Sequence, residues 1–268
     1  MEEKFERISI TTYNIRTDTP EDGMQNELFS WKNRLLYIKE LFQEYQWDIV
    51  GLQEVRENQL NDLVAMGDYA FVGESRWSDD WGEYNPIFYK KEKFKLLSSK
   101  TFWLSKTPEQ ISKAEYWGAA NPRICTIAHF ELKDSGKKLV VANTHLDHIG
   151  EEARYQSSKL VMKNIKQYLN EFPVFLMGDF NGDENERWYK EVSKNLTNIM
   201  TQTSHHVGPF VTCTGVAFTY RPTWDEMVQI DYIFINEKVK INKTITITDQ
   251  FKGIYPSDHY PVSLRCEI

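Results

Sequence analysis

The sequence predicts an α/β protein built on mixed sheets with helices outside them. Three observations carry that reading. Short β-branched and aromatic runs alternate with stretches of helical period; the strand content exceeds what a plain βαβ alternation supplies; and residues 121–143 read as an antiparallel hairpin around Asp134-Ser135-Gly136. In chain order, Ile8, Ile10 and Thr12 alternate in an opening strand. Residues 30–45 then place Trp31, Leu35, Ile38, Leu41, Phe42 and Tyr45 at helical spacing, with Ser30 as N-cap. Further strands are expected at 48–52, 86–89, 124–130, 139–142, 174–177, 230–235 and 262–266. Helices are expected at 151–170 and at 185–196, the latter through Trp188, Val192 and Leu196. No repeat, low-complexity tract or Pro/Ser linker divides the chain, so residues 1–268 are expected to form one domain.

Composition narrows the class. The chain has 268 residues, 41% hydrophobic and 26% charged, which excludes disorder and a fibrous repeat. Folding at this length buries roughly 70–75% of the unfolded surface, so no disulfide is needed. Cys125, Cys213 and Cys266 are far apart with no CxxC, arguing against both a disulfide framework and a thiolate zinc site. The start MEEKFERISI lacks a signal peptide's apolar core, and no run approaches ~18 apolar residues, so a cytoplasmic, membrane-free protein is expected. With 32 Lys+Arg against 39 Asp+Glu the net charge is −7, which argues against lengthy duplex contact and suits a site that holds a hard cation.

The informative pattern is where the strands stop. Strand 8–13 ends at Asn14, 48–52 at Gln53-Glu54, 139–142 at Asn143-Thr144-His145-Leu146-Asp147, and 174–177 at Gly178-Asp179-Phe180-Asn181. Three other strands begin on such groups: Gly82-Glu83 precedes 86–89, Asp231 opens its strand, and Ser257-Asp258-His259 precedes 260–266. In a mixed sheet the ends of some strands share an edge with the starts of their antiparallel neighbours, so all seven groups can converge on one rigid cleft. Singly, each has a plain account: strand ends reach solvent, and Gly-Asp-x-Asn suits a β-turn. Jointly, seven oxygen- and imidazole-bearing termini exceed turn chemistry. The pattern leaves the reaction unnamed.

The ordered motifs TYNIR (12–16), GLQEV (51–55), GEYN (82–85), NTHLD (143–147), GDFNG (178–182), QIDYIFI (229–235) and SDHYPV (257–262) resemble the endonuclease/exonuclease/phosphatase superfamily. GDFN, NTHLD and SDHYPV in that order are specific together, and the match runs from Thr12 to Val262. NTHLD, IDYIFI and the stretch FWLSKTP…PRI at 102–124 are most similar to bacterial members akin to its deadenylase-like branch. The resemblance implies a four-layer α-β-β-α sandwich of two mixed sheets with outer helices, and Mg²⁺-dependent phosphoester hydrolysis, with Mn²⁺ as an alternative ion. It implies Glu54 as the main metal carboxylate, Asn14 at the same site directly or through water, and Asp258 completing or adjoining it. Asp179 would position or deprotonate the attacking water, and Asn181 would bond the phosphoryl oxygen. His259 would contact phosphate, oriented by Asp231, while His145 would stabilise the phosphoryl group or assist the leaving oxygen with Glu83 as partner. The chemistry is coherent, because attack on an anionic phosphoester needs local positive charge.

Three features depart from the family pattern: Tyr84 after the Glu of GEYN, the loosely matching stretch 212–224, and His205-His206, best read as an exposed loop pair. Arg123 and Asn85 are candidate phosphate or sugar contacts, a structural salt bridge being the other account of Arg123. Arg16 looks available to substrate, whereas Arg34, on the first helix, reads as structural. Trp77, Trp81, Tyr84, Trp117 and Trp224 form either a stacking rim for bases or partial core cover. The expected function is hydrolysis of a phosphodiester in nucleic acid, single-stranded in particular, or in a nucleotide-like substrate. Alternatives are an abasic-site endonuclease, a phosphatase of a small phosphorylated metabolite, and a non-catalytic binding module.

Overall fold

A computed structural model describes residues 5–79, 82–214 and 228–268. In chain order its elements are β1 (Arg7–Asn14), α1 (Pro20–Gln25), α2 (Trp31–Tyr45), β2 (Ile49–Gln53), α3 (Glu57–Val64), β3 (Tyr69–Val72), β4 (Ile87–Lys90), β5 (Phe94–Trp103), β6 (Ile124–Leu132), β7 (Lys138–His145), α4 (Glu151–Ile165), β8 (Val174–Asp179), α5 (Arg187–Val192), β9 (Thr197–Asn198), α6 (Ile199–Gln202), β10 (His206–Val207), β11 (Asp231–Ile235), β12 (Lys240–Thr246) and β13 (Val262–Glu267). One sheet has the order β10-β12-β13-β1-β2-β4-β3, the other β5-β6-β7-β8-β11-β9. Each is mixed: β1–β2 and β7–β8 are parallel, while β1–β13 and β8–β11 are antiparallel.

Two-residue alternation builds the layers. On β8, Phe175 and Met177 face the other sheet and join Ile10, Ile49, Ile233 and Val262 in a central core. Val174 and Leu176 face outward onto Val161 and Ile165 of α4 and Trp188 and Val192 of α5. On the first sheet Tyr13, Val50 and Leu52 pack outward against Ile38, Leu41 and Phe42 of α2 and Leu60 and Leu63 of α3. The result is the four-layer α-β-β-α sandwich. Each such side chain contributes about 1.5–3 kcal/mol on burial.

All eight expected strands are present. Ser30 stands at the N-cap of α2, but its hydroxyl donates to the Glu27 carbonyl instead of capping. The helix stops at Gln46, whose left-handed φ of 50° ends the run. Helix α4 ends at Ile165, earlier than expected, and continues as a 3₁₀ turn, Lys166–Tyr168. Among the elements missed by pattern, β5 carries polar Ser98–Lys100 on a sheet edge, and α3 has only Leu60, Leu63 and Val64 as apolar residues.

The topology fixes where the polar strand ends meet. β1, β2, β7 and β8 finish at one edge of the sandwich, and β11 starts there with Asp231 opposite Asp179. Beneath that edge the core turns polar. Gln53 Nε2 donates to Thr12 Oγ1 (3.0 Å) and across the sheets to Asn143 Oδ1 (2.7 Å), and Asn143 Nδ2 donates back to the carbonyls of Leu52 (2.8 Å) and Pro86 (2.9 Å). Gly51 permits this approach, since a Cβ there would lie 2.7 Å from Asn143 Cγ.

Gly178, with φ +151°, is the second required glycine: a Cβ would stand 1.9 Å from the Thr144 carbonyl oxygen on the parallel neighbour. Gly178→Ala is therefore expected to cost about 3 kcal/mol in stability, read as a lowered urea midpoint. An unchanged midpoint would show that β7 and β8 can separate without penalty.

Candidate active site

Asn14 is the last residue of β1, on the inward face set by Ile8, Ile10 and Thr12, and it is fully buried. Its Nδ2 donates to Glu54 Oε1 (3.0 Å) in its own sheet's edge and to Asp179 Oδ2 (3.0 Å) at the end of β8. Its Oδ1 accepts from the Arg16 amide (2.9 Å), so the amide presents hydrogen, not oxygen, to the two carboxylates. Glu54 sits at φ +62°, a left-handed position that is strained for a non-glycine residue. Its Oε2 accepts from the Thr17 amide (3.0 Å). Burial alone would raise its pKa, but these bonds from Asn14 and Thr17 bring it below the usual range.

Asp179 is in the opposite condition. Burial and then the neighbouring Asp231 push its pKa up to about 7, although its Oδ1 accepts from the Asn181 amide (2.9 Å). Asp231 Oδ2 bonds His259 Nδ1 at 2.8 Å. Burial opposes charge on His259, but the Asp231 carboxylate overcomes it and holds the imidazole well above its ordinary pKa. His259 Nε2 stands 3.8 Å from Asp179 Oδ2. His145, ending β7, lies 3.5 Å from the same oxygen but is held neutral by burial, then by Arg123 and Arg76. Asn181 Nδ2 donates to the Leu146 carbonyl (3.0 Å) and to His145 Nε2 (2.8 Å), which puts the His145 proton on Nδ1.

Several expected residues stand differently. Arg16 is not available: its guanidinium grips both Asp22 oxygens (2.8 Å each) and Asp258 Oδ2 (2.7 Å). Glu54, His145 and Asp179 offer ligand atoms within 4.8 Å of one another, as do Asp179, Asp231 and His259; Asp258, claimed by Arg16, joins neither group. Asn85 is buried and spends its amide on the Ile124 carbonyl (3.1 Å), so it supports the start of β6 and not the cleft. Glu83 pairs with Arg76 at 2.9 Å. Arg34 is structural, donating to the carbonyls of Ile15, Arg16, Thr17, Phe29 and Pro256. His206 uses both ring nitrogens on Thr244 Oγ1 and the Pro209 carbonyl and lies in β10, while His205 is exposed.

These groups line a cleft of about 290 Å³ formed by Glu54, His145, Asp179, Asn181 and His259 together with Arg76, Glu83, Asn121, Arg123 and His148. Among the described residues no aromatic ring other than imidazole lines it. Trp77 is exposed, Trp117 packs on Ala114, Ala119 and Ala153, Tyr84 packs against the α2/α3 layer, and Trp81 and Trp224 lie outside the described residues. Arg76, Asn121 and His148 carry no motif signal, although His148 directly follows NTHLD. Asp147 organises the segments that carry Asn121 and His148: its carboxylate accepts the amides of Ile149, Gly150, Ala120 and Asn121. Each of the two ligand groups, with two carboxylates and one imidazole at a buried edge, fits a divalent cation.

A model of the Endonuclease/Exonuclease/phosphatase family matches residues 11–259. The chain belongs to this family. Members of the Endonuclease/Exonuclease/phosphatase family are metal-dependent phosphoester hydrolases. A solved family structure from Bacteroides vulgatus is 32% identical, with TM-score 0.90 over 98% of this chain and 99% of that one. A mannosyl-6-phosphatase from Bacteroides thetaiotaomicron is 30% identical, with TM-score 0.88 over 97% of this chain and 99% of that one. Nocturnin from Drosophila melanogaster is 24% identical over 97% of this chain but 46% of its own length. The chain thus spans about half the length of the curated relatives it matches first. Among the described residues no helix is long and apolar enough to cross a membrane.

The two histidines provide a pH test. Since Asp231, with Cys213 adding to it, raises the His259 pKa against the opposing effect of burial, Asp231→Asn is expected to lower it. Imidazole NMR titration should then show His259 charged at pH 7 in the wild type and titrating at lower pH in the variant, with His145 neutral in both. A His259 pKa unchanged without Asp231 would contradict this account.

Proposed function

We propose that this chain hydrolyses a phosphoester of a small phosphorylated compound, a sugar phosphate or a nucleotide, with Mg²⁺ or Mn²⁺. The observation that carries the reading is the convergence of Glu54, Asp179, His145 and the His259–Asp231 pair on one charged cleft of about 290 Å³. The arginines and imidazoles that line it, Arg76, Arg123, His145, His148 and His259, suit the concentrated charge of a single phosphate group. The 30% identical mannosyl-6-phosphatase is in keeping with that. A second reading, cleavage of single-stranded nucleic acid, draws on the nocturnin relatives and on a 23% identical protein named as a probable 3'-5'-exoribonuclease subunit. The reading takes residues 1–268 as one domain. The buried thiols of Cys125 and Cys266 suit a cytoplasmic, reducing location.

In this mechanism Glu54 would hold the divalent cation, and Asn14 and the Thr17 amide hold Glu54. When bound, the cation supplies positive charge to the phosphoryl group and polarises it. Asp179, with a pKa of about 7, orients the attacking water and accepts its proton near neutral pH. His259, kept charged by Asp231, donates from Nε2 to a phosphoryl oxygen. Both amide hydrogens of Asn181 are engaged, so its part is to orient His145, which in its neutral form stabilises charge by hydrogen bonding. Arg123 contacts phosphate, and Glu83 fixes Arg76.

A screen of sugar phosphates, nucleotides, an activated diester and single-stranded RNA tests the reading. Hydrolysis is expected with Mg²⁺ and not with EDTA, and Asp179→Asn should lower kcat by about 10³-fold or more. Glu54→Gln should weaken Mn²⁺ binding in titration calorimetry. Hydrolysis that survives EDTA, or an Asp179→Asn variant within tenfold of wild type, would refute the assignment; preference for RNA would move it to the second reading.

A further inference from the structure

We propose that Arg123, His148 and Arg76 make the site selective for phosphomonoesters by gripping the terminal phosphoryl group, which a diester cannot present. The inference rests on the hydrolase reading above and names its substrate class. Arg123 has only 5% of its side chain exposed, yet its Nε and Nη1 have no hydrogen-bond partner. Buried donors left in that state cost about 1–3 kcal/mol each, so a site that keeps them is built around an acceptor. The nearest carboxylate, Asp147, balances the charge from 3.5 Å but is already accepting four backbone amides. Arg123 and its neighbours line the cleft with Asp179 and His259, so the acceptor arrives where the chemistry is.

The neighbours are fixed as donors too. Arg123 Nη2 donates to His148 Nδ1 at 3.0 Å, which leaves the proton of the neutral His148 ring on Nε2. Arg76 is braced by Glu83 through its side chain and its amide (2.9 Å each), and its carbonyl accepts from Trp103 Nε1 (2.9 Å). The three side chains come from separate segments, before β4, before β6 and after β7, and offer only N–H groups to a ligand. A monoester presents three non-bridging oxygens, enough for the cation, His259 and the Arg123 fork together. A diester has two, and its second carbon substituent would press apolar atoms onto buried donors.

Rates on p-nitrophenyl phosphate and bis-p-nitrophenyl phosphate decide it, with inorganic phosphate as competitor. The wild type should favour the monoester in kcat/KM by about 100-fold or more. Arg123→Gln should lower monoester kcat/KM by about 100-fold, chiefly through KM, and abolish phosphate inhibition, with a much smaller loss on the diester, so that the monoester preference shrinks by about tenfold or more. Arg76→Gln and His148→Asn, tested alongside, should shrink the monoester preference about tenfold and cover the case in which Arg123→Gln fails to fold. A wild type that prefers the diester, or variants that lose both activities in parallel, would overturn the selectivity while leaving the hydrolase intact. Silence on both esters would instead refute the hydrolase reading. Phosphate binding by calorimetry then still decides the grip: binding lost in Arg76→Gln and His148→Asn upholds it, and no binding by wild type overturns it.

Discussion

A single side-chain amide joins the two halves of the sandwich where its chemistry lies. Asn14 gives one hydrogen to Glu54 and the other to Asp179, so the distance between the sheets at that edge is set by hydrogen bonds and not by apolar packing. Below it Gln53 and Asn143 repeat the arrangement one layer deeper. Three carboxylates, Glu54, Asp179 and Asp231, can remain close together only because such donors and the His259 cation surround them. The raised pKa of Asp179 measures what that compensation leaves undone, and it is the condition in which a carboxylate serves as a base near neutral pH.

The imidazoles divide the work by environment. His145 and His259 both end up buried within reach of the same Asp179 oxygen, at 3.5 and 3.8 Å. Only His259 has a carboxylate on its other nitrogen, and it alone is charged; His145 faces arginines and an amide, and stays neutral. One residue type thus supplies both a cationic donor and a neutral one.

Much of this was legible in the chain because strand periodicity and strand termini are local properties. Ile8, Ile10 and Thr12 announce β1 and its inward face, and the same alternation carries Asn14 inward. What the sequence does not reveal is set by tertiary partners. Nothing local tells that Arg16 would be occupied by Asp22 and Asp258, or that Asn85 would turn to the Ile124 carbonyl. Arg76 and His148 reach the cleft from loops whose path depends on Glu83, Trp103 and Asp147. Likewise β5 escapes notice because a sheet edge relaxes the apolar pattern that buried strands must keep.

The parallel course of β7 and β8 toward the cleft has a practical corollary at the far end of the sandwich. The hairpin closed by Leu132 and Lys137, with Gly136 at φ +73°, turns there, remote from Glu54 and Asp179 along both strands. Its tip is exposed and polar, and Gly136 has open space around it. That turn is a natural handle: a fluorophore, an affinity tag or a surface tether spliced at Ser135 would report on or immobilise the protein with its catalytic edge facing away from the attachment.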